Sequence, residues 1–150
     1  AYADEFENAV MEVVTKCGVI DLIDRNFNTL SGGEQRRIHF ARTLLQLWRP
    51  SDSSDPKYLL LDEPTANLDL TYEVKLLNIV KDVSREGAGV MLVLHDLNLA
   101  AKFSDKIVLI NNGSIVKIGD PKEVLEANIL SSVYNIDIKV KDDPLFITYY

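Results

Sequence analysis

The 150-residue sequence predicts an α/β fold, and three observations carry that expectation. Two short apolar runs, residues 58–61 and 90–94, each end in polar or charged residues and are separated by a helix-periodic segment. Wholly apolar runs of this length suit strands of a parallel sheet buried on both faces. Helical patterns precede them, and Asn112-Gly113 between two further apolar runs is a strong hairpin signal.

Taken in order, residues 4–17 place Phe6, Val10, Val13 and Cys17 at helical spacing, and Gly18 can end the helix. Residues 19–29 are mixed, with a short helical turn and a loop expected. Residues 31–48 predict a helix opened by a Ser31/Glu34 capping box, with Ile38, Ala41, Leu45 and Trp48 on one apolar face and Pro50 as its stop. After the polar loop 51–55 and the strand 58–61, residues 71–85 predict a helix through Val74, Leu77, Ile79 and Val83. Strand 90–94 follows, then a short helix over 97–103, then the hairpin 106–110 and 114–118. Residues 121–134 predict a helix with Pro121 in its first turn, and the tail from 136 reads as strand and loop.

Composition narrows the class. Hydrophobic residues make up 47%, enough for one compact core. The net charge of −7 is a poor match to nucleic acid, which needs a basic face. The single cysteine, Cys17, reads as a small apolar residue on a helix face. No apolar run reaches the ~18–20 residues that span a bilayer. Acidic Asp4, Glu5 and Glu7 stand where a signal peptide would be basic, so a soluble chain that meets membranes through a partner is expected. The opening Ala-Tyr-Ala has no methionine, as expected of a fragment.

Three constellations carry chemistry. Leu30-Ser31-Gly32-Gly33-Glu34-Gln35 puts two glycines and a hydroxyl at a helix start, where free N–H groups and the dipole favour an anion. The same residues also suit an ordinary capped helix. Asp62 and Glu63 end an apolar strand before Pro64, a place to hold Mg²⁺ (Asp62) and to polarise water (Glu63). His95 follows the second strand, where it could reach a phosphoryl oxygen or orient water. His39 lacks such a context and reads as structural.

Together and in this order, these motifs resemble the ABC ATPases. Residues 30–35 match the family signature, residues 58–63 its Walker B strand and catalytic glutamate, Asn67-Leu68-Asp69 its D-loop, and His95 its switch histidine. The resemblance runs from about residue 20 to about residue 125. It implies a partial P-loop NTPase fold: residues 1–50 as part of the helical subdomain, 51–125 as part of the RecA-like core with the Walker B-side parallel strands, and 126–150 as a C-terminal extension. It implies ATP and Mg²⁺ as cofactors, with Asp62 holding the metal through water, Glu63 as general base or water-orienting group, and His95 as γ-phosphate sensor. It also implies that Ser31, Gly32, Gly33, Glu34 and Gln35 contact ATP bound to a second copy in a head-to-tail dimer, with Asp69 coupling the two sites. Ala66 and Asn67 are mild departures, standing where serine and alanine are common in the family.

A larger departure is that no G-x-x-x-x-G-K-[ST] phosphate loop occurs in the sequence. The resemblance puts that loop upstream, so the expectation is a C-terminal part of an ABC ATPase, inactive alone, with exposed strand edges. His95-Asp96-Leu97-Asn98-Leu99-Ala100 is similar to importers of iron chelates, haem and cobalamin, and residues 44–50 with the polar insertion resemble haem importers. That implies transmembrane permease subunits and, indirectly, a substrate-binding protein as partners, at the cytoplasmic face of the inner membrane. Siderophore or cobalamin import is the neighbouring expectation. A DNA-repair or translation ATPase and a non-catalytic dimerising remnant are the rivals.

Overall fold

A computed structural model describes residues 2–149. The chain forms two compact units, residues 1–93 and 94–150.

The first unit opens with α1 (Tyr2–Cys17). Gly18, at φ 63, ends it, because that left-handed backbone suits glycine. Cys17 is fully buried, and burial pushes its thiol up to about 11, so it packs as an inert apolar group. Two 3₁₀ turns, Ile20–Leu22 and Phe27–Thr29, lead to α2 (Gly32–Leu45). Packing of α1 on α2 is closed at one end by Phe6 and Trp48, whose rings meet edge-on at 5.2 Å.

The helix α2 ends three residues before the stop expected from sequence. Gln46 and Leu47 turn back by i→i+3 bonds to Thr43 and Leu44 carbonyls. Its buried residues are Phe40, Ala41 and Leu44; of the predicted face Ala41 is buried, while Ile38, Leu45 and Trp48 are only half-buried. Phe40 and Leu44 stand four apart and so share one face.

Strands β1 (Tyr58–Asp62) and β2 (Gly89–Val93) pair in parallel, Asp62 opposite Val93. Helix α3 (Leu70–Arg85) is the crossover, burying Tyr72, Leu76, Leu77, Ile79 and Val80. The expectation that both strands are covered on both faces is corrected. Leu59 is 2% exposed, whereas Leu60 is 70% exposed and Met91 60%. Side chains alternate across a strand, so one apolar face is packed and the other is open among the described residues.

In the second unit, α4 (Leu97–Phe103) is capped by Asp96, whose carboxylate accepts from the Asn98 and Leu99 N–H groups. Strands β3 (Ile107–Asn111) and β4 (Ser114–Gly119) form an antiparallel hairpin. Asn112 (φ 49) and Gly113 (φ 72) supply the two left-handed residues of its tight turn. The single helix expected over 121–134 is two: α5 (Pro121–Val124) and α6 (Ala127–Tyr134). The break falls at Glu126, whose extended backbone (ψ 140) caps α6, while Leu125 turns inward and is 1% exposed. Strands β5 (Ile138–Asp142) and β6 (Leu145–Tyr149) pair as a second hairpin. The Asn98 amide docks it on α4 by donating to the Ile147 carbonyl (3.1 Å) and accepting from the Ile147 N–H (2.8 Å). Leu109, Val124, Leu125, Leu130, Ile138 and Ile147 form this unit's core.

Candidate functional site

The start of α2 is built by its own sequence. Ser31 is the N-cap; the Glu34 N–H donates to its hydroxyl oxygen at 3.3 Å. In return the Ser31 N–H and hydroxyl donate to the Glu34 carboxylate at 2.7 and 2.8 Å, which completes the capping box. Arg25 pairs with the other Glu34 oxygen at 3.0 Å. The Gln35 amide donates to the Phe27 and Leu30 carbonyls, both at 3.2 Å, and so ties the preceding turn to the helix. The Glu34 and Gln35 side chains thus shape the helix start.

Gly32 and Gly33 differ from them. A Cβ on either would meet nothing within 4 Å, and neither has a positive φ. Neither packing nor backbone geometry inside this chain requires glycine there. The one thing a missing Cβ provides is close access to the free N–H groups of the helix start, where an anion is favoured.

Replacing the cap, Ser31→Ala, is expected to destabilise the helix start by about 1 kcal/mol, read as a lower urea midpoint with an unchanged slope. Acid has a related effect. The Ser31 backbone N–H, first, then its hydroxyl and Arg25, hold the Glu34 carboxyl below the usual carboxylate range. A lowered folded pKa gives stability that is fully present above the ordinary value and is lost as pH falls through the lowered one. Amide protection at the start of α2, taken relative to the intrinsic exchange rate at each pH, should therefore fall in that acid window, and Glu34→Gln should flatten the dependence.

The second cluster is at the carboxyl end of β1. Asp62 closes the strand, and Glu63 follows it with φ 45, a left-handed backbone unusual for glutamate. The Glu63 N–H still donates to the Val93 carbonyl at 3.1 Å, so main-chain pairing holds the residue as the chain turns away from the sheet. Non-glycine residues in such conformations gather at functional sites. Asp62 and Glu63 line a cleft of about 530 Å³ with Arg36, His39, Phe40, Thr43, Leu61, Pro64 and Ala66. Both carboxylates are exposed to solvent. Oxygen donors at a strand end beside an open cleft suit a hard divalent cation and its waters.

The structure therefore brings Asp62 and Glu63 together and leaves residues 31–35 outside that cleft. Asp69 caps α3, its carboxylate accepting from the Tyr72 N–H at 3.0 Å. His95 stands two residues past β2, exposed, in the second unit. Sequence reasoning missed Arg36 and His39 as cleft residues. His39 reads as structural from sequence, and its ring does meet Phe27 edge-on at 5.0 Å, but it also faces the cleft. The available signal was spacing: Arg36, His39, Phe40 and Thr43 recur three and four apart on one helix face.

The ABC transporter family profile matches residues 2–66. The chain is 41% identical over 138 residues to the hemin import ATP-binding protein HmuV of Rhodopseudomonas palustris strain BisB5, covering 92% of this chain and 51% of that protein. Identity to the HmuV proteins of Bartonella quintana strain Toulouse and Escherichia coli O157:H7 is 39% and 40%, covering 93% and 92% of this chain and 53% and 54% of theirs. The chain thus spans about half the length of the curated relatives it matches. Among solved structures, one described as an inward-facing metal-chelate type ABC transporter superposes with a TM-score of 0.76 at 23% identity, over 95% of this chain and 56% of that one. The ADP conformation of MJ1267, an ATP-binding cassette of an ABC transporter, superposes at 0.68 and 22%, over 87% and 50%. At those identities the likeness is one of fold, an α/β fold that corresponds to about half of each cassette-bearing chain. With the curated relatives near 40% identity, the chain is similar, over nearly its whole length, to about half of an ABC transporter ATP-binding protein.

Proposed function

We propose that the protein containing this chain is the ATP-hydrolysing subunit of an ABC importer that energises hemin uptake. The observation that carries the ATPase reading is the pair Asp62 and Glu63 at the end of β1, beside an open cleft, with Glu63 held in a left-handed backbone. The names of the relatives carry the substrate, hemin. Iron-chelate or cobalamin import is the neighbouring reading.

The residues present fit Mg²⁺ and nucleotide phosphate in part. Asp62 supplies the hard oxygen ligand, directly or through water, and Gly32 and Gly33 leave a helix start open to an anion. The sequence holds no G-x-x-x-x-G-K-[ST] loop, so these residues by themselves do not form a whole nucleotide site. When bound, the Mg²⁺–nucleotide pair supplies the reactive phosphoryl group and neutralises its charge. Glu63 would orient or deprotonate the attacking water, and the family resemblance gives His95 the role of contacting the γ-phosphate. Ser31, Gly32 and Gly33 offer donors to a nucleotide on a second copy, with Glu34 and Gln35 holding that surface in shape. Asp69 couples the two sites through the start of α3.

In this reading residues 1–50 are helical-subdomain sequence, 51–125 core sequence and 126–150 an extension. The partners are a second ATPase copy, transmembrane permease subunits and, through them, a substrate-binding protein. None of the helices among the described residues is long and apolar enough to cross a membrane. In this reading the subunit sits at the cytoplasmic membrane face through its permease. Hemin itself meets the permease rather than this chain.

Two arms test the reading in a host that uses hemin as its iron source and lacks its own hemin-import ATPase. The full-length protein, supplied with its permease, should restore growth on hemin, and Glu63→Gln should not. Restored growth on a siderophore or cobalamin, but not hemin, would move the substrate. Equal growth with wild type and Glu63→Gln would reject the ATPase role.

A further inference from the structure

We propose that Arg36 is a positioning residue, its guanidinium holding the Asn67 side chain and so fixing the loop that presents Glu63 to helix α2. The inference rests on the ATPase reading above and adds a residue to it. With the Asn67 amide turned so that its oxygen faces Arg36, that oxygen accepts from Nη2 at 2.9 Å and from Nη1 at 3.3 Å. Two nitrogens on one oxygen restrict both the guanidinium and the amide, a contact that lysine cannot reproduce.

The loop needs such a hold. Glu63 (φ 45) and Asn67 (φ 57) both have left-handed backbones, which L-residues seldom adopt without support. Between and beyond them run two turns, with the Ala66 N–H donating to the Glu63 carbonyl at 3.1 Å and the Leu68 N–H to the Thr65 carbonyl at 3.2 Å. At Asp69 the loop becomes the cap of α3. Arg37, the next residue on α2, lies 5.3 Å from the centre of the Tyr72 ring, and the Tyr72 hydroxyl donates to the Cys17 carbonyl. Two consecutive arginines of α2 therefore hold the middle of the loop and the first turn of the helix after it. Arg36 also lines the cleft that contains Asp62 and Glu63. A shift of the glycine-bearing helix thereby reaches the catalytic loop through one side-chain pair.

The test is a double-mutant cycle in the full-length protein with Arg36→Ala, Asn67→Gly and the pair. Glycine keeps the left-handed backbone and removes only the amide. Each single change should lower kcat for ATP about tenfold. KM should move less than about twofold, as expected when an interaction matters chiefly to the reacting state. The double variant should be no slower than the worse single, because both remove one contact, and Arg36→Lys should not rescue. Exchange at the Ala66 and Leu68 amides should quicken in Arg36→Ala. Multiplicative losses, or wild-type turnover in Arg36→Ala, would overturn the proposal. If the wild-type protein hydrolyses no ATP, the ATPase reading fails separately, and the exchange arm decides the clamp: unchanged protection in Arg36→Ala refutes it, faster exchange sustains it.

Discussion

Replacing Glu63 with glutamine is expected to lower Mg²⁺-dependent ATP turnover of the full-length protein by about 10²- to 10⁴-fold, the usual contribution of a positioned general base. Glutamine has nearly the same shape, and the main-chain bond from residue 63 to the Val93 carbonyl does not depend on the side chain. Residue 63 is exposed, so the change in folding stability should stay within about 0.5 kcal/mol. Loss of turnover with retained stability and retained nucleotide binding would mark Glu63 as chemical rather than structural. Asp62→Asn is the informative companion. It should weaken the Mg²⁺ dependence itself, raising the metal concentration needed for half-maximal rate, because one hard ligand oxygen is neutralised. Turnover by Glu63→Gln close to wild type would remove the base from this position.

Gly33→Ala should separate folding from function in the opposite direction. In most helices such a change is stabilising, by roughly 0.5–1 kcal/mol, because alanine loses less backbone freedom on folding. Nothing within 4 Å of the added Cβ opposes it here. The chain should therefore fold at least as well as wild type. Turnover should still fall about a hundredfold, the scale expected when reacting groups are displaced by about an ångström. A variant that is more stable and less active would identify Gly33 as glycine for a ligand's sake. Unchanged turnover would return residues 31–35 to the role of a capped helix and nothing more.

Much of this was legible in the sequence because its signals are local. The Ser31/Glu34 capping box, the Asn112-Gly113 turn and the placement of Asp62 and Glu63 at a strand end each depend on a few neighbouring residues, and each is present in the structure. What escaped depends on distant partners. Leu60 and Met91 look as buried in sequence as Leu59 does, since apolarity records only what a residue prefers and not whether anything lies over it. The break between α5 and α6 hides in a helix-compatible stretch, where Leu125 is drawn into the core that Leu130 and Ile138 build. Tertiary packing there overrides local propensity. The contact of Arg36 with Asn67 joins residues 31 positions apart, which no periodicity reports.

The most direct measurement is sedimentation of full-length Glu63→Gln protein with and without Mg²⁺-ATP, alongside Glu63→Gln/Gly33→Ala. With hydrolysis slowed, Mg²⁺-ATP should shift the first protein from monomer to dimer, and the second should stay monomeric, because the glycine-bearing helix start no longer reaches a nucleotide on the partner copy. A dimer that forms equally without ATP, or one that Gly33→Ala leaves intact, would contradict the assignment of residues 31–35 to a shared nucleotide site.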